Sequence, residues 1–187
     1  MSVMDRAFLI GDRVYLRPID IGDADGPYLQ WVNSPTAHLT LGSLYFPTTQ
    51  AALEAYIKRQ IEHPDTAFFA IMTKSDDRFV GTAKIGPVET VHRHAYIGLF
   101  IGEETEWGKG YGTEAAILLL KYGFRQLNLH KISAGANGSN VASIRMFEKV
   151  GMKVECRRPK QLFVDGAWED HVILAMLSDE FGKLYPE

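Results

Sequence analysis

Trp107-Gly108-Lys109-Gly110-Tyr111-Gly112-Thr113-Glu114-Ala115 sets three glycines in alternation between a strand-like apolar run and a long apolar-periodic helix. Glycines let a backbone approach an anion and adopt dihedrals closed to other residues. The first turn of the helix that follows has amide N–H groups without intrahelical partners, and the positive end of the helix dipole lies beside them. The segment therefore reads as a place to hold a pyrophosphate.

Spacing separates the known phosphate loops. A Walker A loop needs Gly, four residues, then Gly-Lys-Ser/Thr; Gly102 is out of step with Gly108-Lys109, and Gly110 stands where the magnesium-binding hydroxyl belongs. A dinucleotide fingerprint needs Gly-x-Gly-x-x-Gly and an acidic residue about 20 positions on. Here the glycines alternate strictly, and nothing acidic follows between Glu114 and Glu148. ATP or NAD binding is disfavoured on those grounds. A glycine-rich turn that merely joins strand to helix remains open from this segment alone.

Trp107 to Gly112 resembles the acyl-CoA loop of the GCN5-related N-acetyltransferase (GNAT) family, within it the branch of ribosomal-protein-alanine and spermidine acetyltransferases. Downstream, Asn140, Ser143-Ile144-Arg145 and Glu148-Lys149-Val150-Gly151 resemble the family's second cofactor-contacting helix. Two motifs in this order, about 30 residues apart, make the likeness specific, and it extends from about Val14 to Leu177.

Composition bounds the rest. The chain has 187 residues, 46% hydrophobic, enough for one core and hence one domain over residues 1–187. A net charge of −3 without a Lys/Arg cluster argues against a nucleic-acid surface. No apolar run reaches the length of about 20 residues that spans a bilayer, and the first six residues are no signal peptide, so a cytoplasmic protein without membrane contact is expected. Cys156, the single cysteine, excludes an intramolecular disulfide and paired-Cys metal sites; in an apparent strand it reads as a buried, inert thiol, and no metal is expected. Asn137-Gly138-Ser139 reads as a turn.

Periodicity and breakers give the order of elements. Residues 14–17 read as a strand. Pro27 opens a short helix that ends near Asn33-Ser34-Pro35, and Thr48 or Thr49 caps a second, with Leu53, Ile57 and Ile61 on one face until His63-Pro64. Runs 67–72 and 79–85 form a hairpin about Ser75-Asp76-Asp77, and a third strand covers 95–101 after the turn at 91–94. A helix from Gly110 to about Gln126, a strand at 131–134, a helix over 140–149 stopped by Gly151, and strands at 152–156 and 171–176 complete the chain, the last preceded by Asp165-Gly166. The fold class is α/β (α+β): a single domain with a mixed, mostly antiparallel central sheet flanked by helices. The resemblance implies that the strands at 95–101 and 131 splay apart and hold the acyl-CoA.

Acetyl transfer to an amine needs a neutral nitrogen, a polarised thioester carbonyl and a proton for the departing thiolate. An alkyl amine is less than roughly 0.1% neutral at pH 7, so its proton must be removed. The resemblance implies cofactor contacts from Phe100, Ile101, Gly102, Trp107, Gly108, Lys109, Gly110, Tyr111, Gly112, Thr113, Asn140, Phe147 and Lys149, with an exposed strand amide about Phe100 to Gly102 facing the oxyanion. The chain departs from the family pattern twice: Phe147 stands where a Tyr often protonates sulfur, and Tyr96 stands in Ala95-Tyr96-Ile97-Gly98 where relatives often carry Glu. Tyr96, Glu103 and Ser143 are the catalytic candidates in their place; Asn33, His92 and His94 are candidates for substrate contact. The plain alternatives are a solvated acidic turn for Glu103, Glu104 and Glu106, surface histidines, and an N-cap role for Asn140. The expectation is an acetyl-CoA-dependent N-acetyltransferase acting by direct transfer in a ternary complex on a small-molecule amine, amino sugar, polyamine or peptide N-terminus, with a homodimer suggested by likeness. A non-catalytic acyl-CoA-binding domain is the rival.

Overall fold

The computed structural model describes residues 6–41 and 46–186, with the backbone alone for residues 38–40. Eight strands form one sheet: β1 (Leu9–Ile10), β2 (Val14–Pro18), β3 (Ala67–Thr73), β4 (Phe79–Ile85), β5 (His94–Ile101), β6 (Lys131–Asn137), β7 (Lys153–Val164) and β8 (Ala167–Leu177). Their order is β1-β2-β3-β4-β5-β6-β8-β7, and every neighbouring pair is antiparallel except β5 and β6.

Strand alternation divides the side chains between two helical layers. One face carries Ala95 and Ile97 of β5, Ile132 and Ala134 of β6 and Leu174 and Met176 of β8. Against it pack α4 (Tyr111–Lys121) through Leu119 and Leu120, α5 (Val141–Lys149) through Ile144 and Phe147, and α6 (Ser178–Leu184) through Phe181. The other face presents Phe68 and Phe100 to α1 (Pro27–Val32), α2 (Pro35–Leu41) and α3 (Gln50–Glu62), which contribute Tyr28, Trp31, Val32, Ala37, Leu53 and Ile57. Residues such as Leu119 and Leu120 are wholly buried, and truncating one to Ala costs about 2–5 kcal/mol.

Local chemistry sets the boundaries. Pro27 opens α1 at a position where the missing N–H is no loss. Thr49 caps α3 by accepting from the Ala52 amide at 3.2 Å, and Asn140 caps α5 by accepting from the Ser143 amide at 3.1 Å. α4 continues into a π-turn over Tyr122–Gln126, so the expected helix from 110 to 126 has the right extent but a wider last turn. Asp165 and Gly166 both have positive φ (46° and 80°), the geometry of a type I′ hairpin joining β7 to β8.

Several sequence-based expectations change. The short β1, a 3-10 turn at Ile21–Asp25 capped by Asp20, α2 and α6 were not anticipated. β7 and β8 run far beyond 152–156 and 171–176, because the polar stretch Arg157-Arg158-Pro159-Lys160-Gln161 continues the ladder through an irregular register between Arg158 and Leu162. β7 is exposed for nearly its whole length, and Cys156 is therefore exposed, not buried.

Candidate functional site

The parallel ladder between β5 and β6 ends at Ile97↔Ala134, although β5 continues to Ile101 and β6 to Asn137. Beyond that pair each strand keeps only its outer neighbour: β5 stays on β4 through Gly81↔Ile101, and β6 stays on β8 through Asn137↔His171. The sheet is thus split between its two central strands, as the resemblance implied. A cavity of about 830 Å³ occupies the split and reaches from one helical layer to the other.

The split decides which strand amides are available. Gly102 donates to Val80 O at 3.1 Å, which makes Ile101↔Gly81 a non-bonded pair in the antiparallel ladder and Phe100↔Thr82 a bonded one. The Phe100 and Gly102 amides are therefore spent on β4. Those of Leu99 and Ile101 face the split, where β6 no longer offers acceptors. The expected oxyanion donor among Phe100 to Gly102 narrows to Ile101, with Leu99 added. Gly102 does not line the cavity; a Cβ there would collide with the Trp31 ring.

On the α4 side the glycine loop closes the cavity. Gly108 (φ 74°) and Gly110 (φ 85°) hold left-handed backbone conformations that other residues adopt at a cost. Among the described residues, the amides of Gly108, Lys109 and Gly110 donate to no protein acceptor, and those of Tyr111, Gly112 and Thr113 are the orphan donors of the first turn of α4. A Cβ at Gly108 would meet nothing within 4 Å. Arg13 holds the loop from outside: Nη1 donates to Lys109 O at 2.6 Å and Nε to Glu114 Oε2 at 3.0 Å. The carbonyls are thereby drawn outward and the amides left facing the cavity, an arrangement that fits a diphosphate.

α5 forms the facing wall through Ser143, Met146, Phe147 and Lys149, with Asn140 at its start. Asn140 is both the helix cap and part of the wall. Trp107 lies against the cavity and fixes its indole by donating from Nε1 to Ile101 O at 2.8 Å. Phe147 is buried in the core and borders the cavity.

Glu106 overturns the view of a solvated acidic turn. Its side chain is 3% exposed, it lines the cavity, and it is paired with Lys109 Nζ at 2.9 Å and Arg78 Nη2 at 2.7 Å. Those two cations hold its carboxyl below the usual carboxylate range. Lys109, so engaged, does not line the cavity. Glu103 caps the turn by accepting from Thr105 Oγ1 at 2.9 Å, and Glu104 accepts from Thr36 Oγ1 at 2.5 Å; neither lines the cavity.

The remaining candidates separate by position. Ser143 is in the wall. Tyr96 is on β5 two residues before Gly98, half-exposed and edge-on to His94, and is not in the wall. His94 is not in the turn but begins β5, with Nε2 3.0 Å from Ser133 Oγ; His92 is exposed in the turn. Both lie at the end of β5 away from the split. Asn33 ends α1 and bonds Thr48 from both sides of its amide, at 2.9 and 2.8 Å; Thr48, not Asn33, lines the cavity.

The half of the cavity under α1 and α3 lies where the resemblance implies the acceptor pocket, but none of its lining side chains was a candidate in the sequence. Tyr28, Leu53, Tyr56, Phe68, Thr82 and Lys84 line it. Burial pushes the Tyr28 and Tyr56 phenols above their ordinary range, so both stay protonated. Burial also lowers the pKa of Lys84. Alternation along β4 places Thr82 and Lys84 on one face, and the apolar stripe of α3 places Leu53 opposite them.

Comparison with known proteins agrees with this architecture. Residues 13–153 match the model of the acetyltransferase (GNAT) domain family. A probable N-acetyltransferase of Bacillus subtilis, YjcK, is 32% identical over 182 residues, covering 92% of this chain and 98% of that protein. The spermidine N(1)-acetyltransferase of Escherichia coli is 27% identical over 110 residues, 59% of each chain. In fold, the Vibrio cholerae spermidine N-acetyltransferase in complex with CoA and spermine superposes with a TM-score of 0.82 at 20% identity, covering 91% of this chain and 99% of that one.

Proposed function

This chain belongs to the GNAT family of acetyltransferases, and we propose that it transfers the acetyl group of acetyl-CoA directly to a primary amine, both substrates being bound at once. Membership makes it an acetyl-CoA-dependent N-acetyltransferase. The observation that carries the finer reading is the continuity of one cavity from the amide cradle, through the split sheet, into an aromatic pocket under α1 and α3. A domain that only bound acyl-CoA would need the cradle and nothing past the split.

Bound acetyl-CoA supplies an acyl group activated as a thioester. The amides of residues 108 to 113 hold its diphosphate, Asn140 and Lys149 flank it, and Trp107 and Phe147 border the arm that enters the split. The Leu99 or Ile101 amide donates to the oxygen that gains charge during transfer. Ser143, one turn before Phe147 on α5 and in the cavity wall, is assigned the role left vacant by Phe147, that of returning a proton to sulfur. Glu106, kept ionised by Arg78 and Lys109, is a weak base, and the raised phenols of Tyr28 and Tyr56 are none at neutral pH. Loss of the acceptor's proton is therefore assigned to solvent, with Tyr96 beside the pocket rather than in it.

The E. coli relative is a spermidine acetyltransferase, and the Vibrio neighbour is described with spermine. A polyamine is thus one acceptor class to test, beside other small amines and peptide N-termini. No helix among the described residues is long and apolar enough to cross a membrane, and a cytoplasmic location is proposed from composition. The reading is tested by titrating coenzyme A calorimetrically and following thiol release from acetyl-CoA with a panel of amines. Binding with acceptor-dependent thiol release is expected; binding without turnover on any amine would leave the non-catalytic rival.

A further inference from the structure

We infer that the acceptor is an amine that also carries a carboxylate, its anionic group held by Lys84. The inference rests on the acetyltransferase reading above and names the substrate class for the same cavity.

Lys84 stands on β4 with Phe68 of β3 on one side and Gly98 of β5 on the other, a row across the sheet on the face under α3. Its ammonium has no hydrogen-bond or ion-pair partner among the described residues. A cation withdrawn from water without a counter-charge is unfavourable, and the lowered pKa of Lys84 reports that cost. Among the described residues that line this half of the cavity, none is acidic. Tyr28, Leu53, Tyr56 and Thr82 complete this half of the wall.

A second cation deepens the imbalance. Arg59 is three residues beyond Tyr56, on the same stripe of α3, with its guanidinium 5.8 Å from the Tyr56 ring centre. The acid of that helix segment, Glu54, is two positions from Tyr56, hence on the opposite arc, and is engaged by Gln50 at 3.1 Å. Glu106, the acid in the cavity wall, is compensated by Arg78 and Lys109. A polyamine would bring further positive charge to Lys84, whereas an amino acid would bring the counter-ion. Gly98 leaves open space beside Lys84, since a Cβ there meets nothing within 4 Å. The amine can then reach the split while Tyr56 and Phe68 cover an apolar side chain. Once the ammonium's first proton has gone to solvent, the nitrogen bonds to the acyl carbon, the C–S bond breaks, the nitrogen releases its second proton to solvent, and Ser143 gives a proton to the thiolate and regains one from solvent; Lys84 stays charged throughout.

The test uses the full chain, acetyl-CoA and matched acceptors: phenylalanine against 2-phenylethylamine, methionine against 3-(methylthio)propylamine, with spermidine alongside. Thiol release should give kcat/KM at least tenfold higher for the carboxylate member of each pair. Lys84→Met should bring that ratio near one, and Lys84→Arg should keep it. Equal turnover within pairs, or preference for spermidine, overturns the inference while leaving the acetyltransferase reading intact. So does a Lys84→Met variant that slows both members equally and removes a limb of the pH profile, which would make Lys84 a base. If no amine is turned over, the acetyltransferase reading fails, and calorimetry on the coenzyme A complex still decides. Phenylalanine binding tenfold tighter than 2-phenylethylamine supports the Lys84 anchor; equal or absent binding sinks it.

Discussion

Arg13 donates from Nε to Glu114 Oε2 at 3.0 Å, and the same carboxylate accepts the backbone amides of Arg13 and Val14 through Oε1 at 2.9 and 3.3 Å. The residue just before β2 and one in the first turn of α4 are thereby locked together, and the free end of the guanidinium reaches the carbonyl of Lys109. Burial alone would raise the Glu114 pKa, but these donors outweigh it and hold the carboxyl below its ordinary value. As an exposed ion pair the contact would contribute little; as the fastener of the loop carbonyls it fixes where the loop amides point.

Arg13→Ala is accordingly expected to raise the KM for acetyl-CoA about tenfold, ~1.4 kcal/mol, with kcat changed far less. Glu114→Gln, which keeps the shape but weakens the grip, should have a smaller effect in the same direction. Steady-state kinetics with acetyl-CoA varied at saturating amine read both; a fall in kcat at constant KM would contradict the assignment.

Gly98→Val should leave folding and coenzyme A affinity near wild type, because the added carbons enter open space and the residue does not need positive φ. The same carbons occupy the route from Lys84 to the split, so kcat/KM for the acceptor should drop at least tenfold. Melting curves, calorimetry and turnover together separate a blocked pocket from a damaged fold.

Ser143→Ala should lower kcat by about 10²-fold, within the usual range for loss of a proton donor, with the KM for acetyl-CoA little changed. Phe147→Tyr in that background should restore part of the rate, since residue 147 shares the cavity wall with 143. Unchanged turnover in Ser143→Ala would remove Ser143 from the mechanism.

Glu106 gives a stability prediction with a definite sign. Its folded pKa lies below the usual 4.5, so in acid the unfolded chain takes up this proton first. The pairing with Lys109 and Arg78 stabilises fully above about pH 5 and is lost as pH falls through the lower folded value. The difference in Tm between wild type and Glu106→Gln should stay constant from pH 5 to 8 and shrink below pH 4.

The glycine loop and the Asn140 helix were legible because each is encoded locally, by alternating glycines and by a capping residue, whereas the split between the strands was implied by the family resemblance alone. Glu106 was not. Three glutamates in four positions look equivalent until Arg78, from another hairpin, turns one of them inward. Lys84 was hidden for a similar reason. Alternation gives its face, but only α3 folded over β4 makes that face the floor of a pocket. Cys156 was misjudged because a strand pattern suggests burial, whereas β7 is an edge strand exposed for nearly its whole length.

The cavity passes from one side of the sheet to the other, so donor and acceptor can arrive through different doors and neither must wait for the other. A conjugate that covalently joined coenzyme A to an amine would have to thread end-first between two strands. Such an inhibitor should associate slowly, dissociate slowly, and tolerate bulk at only one of its termini.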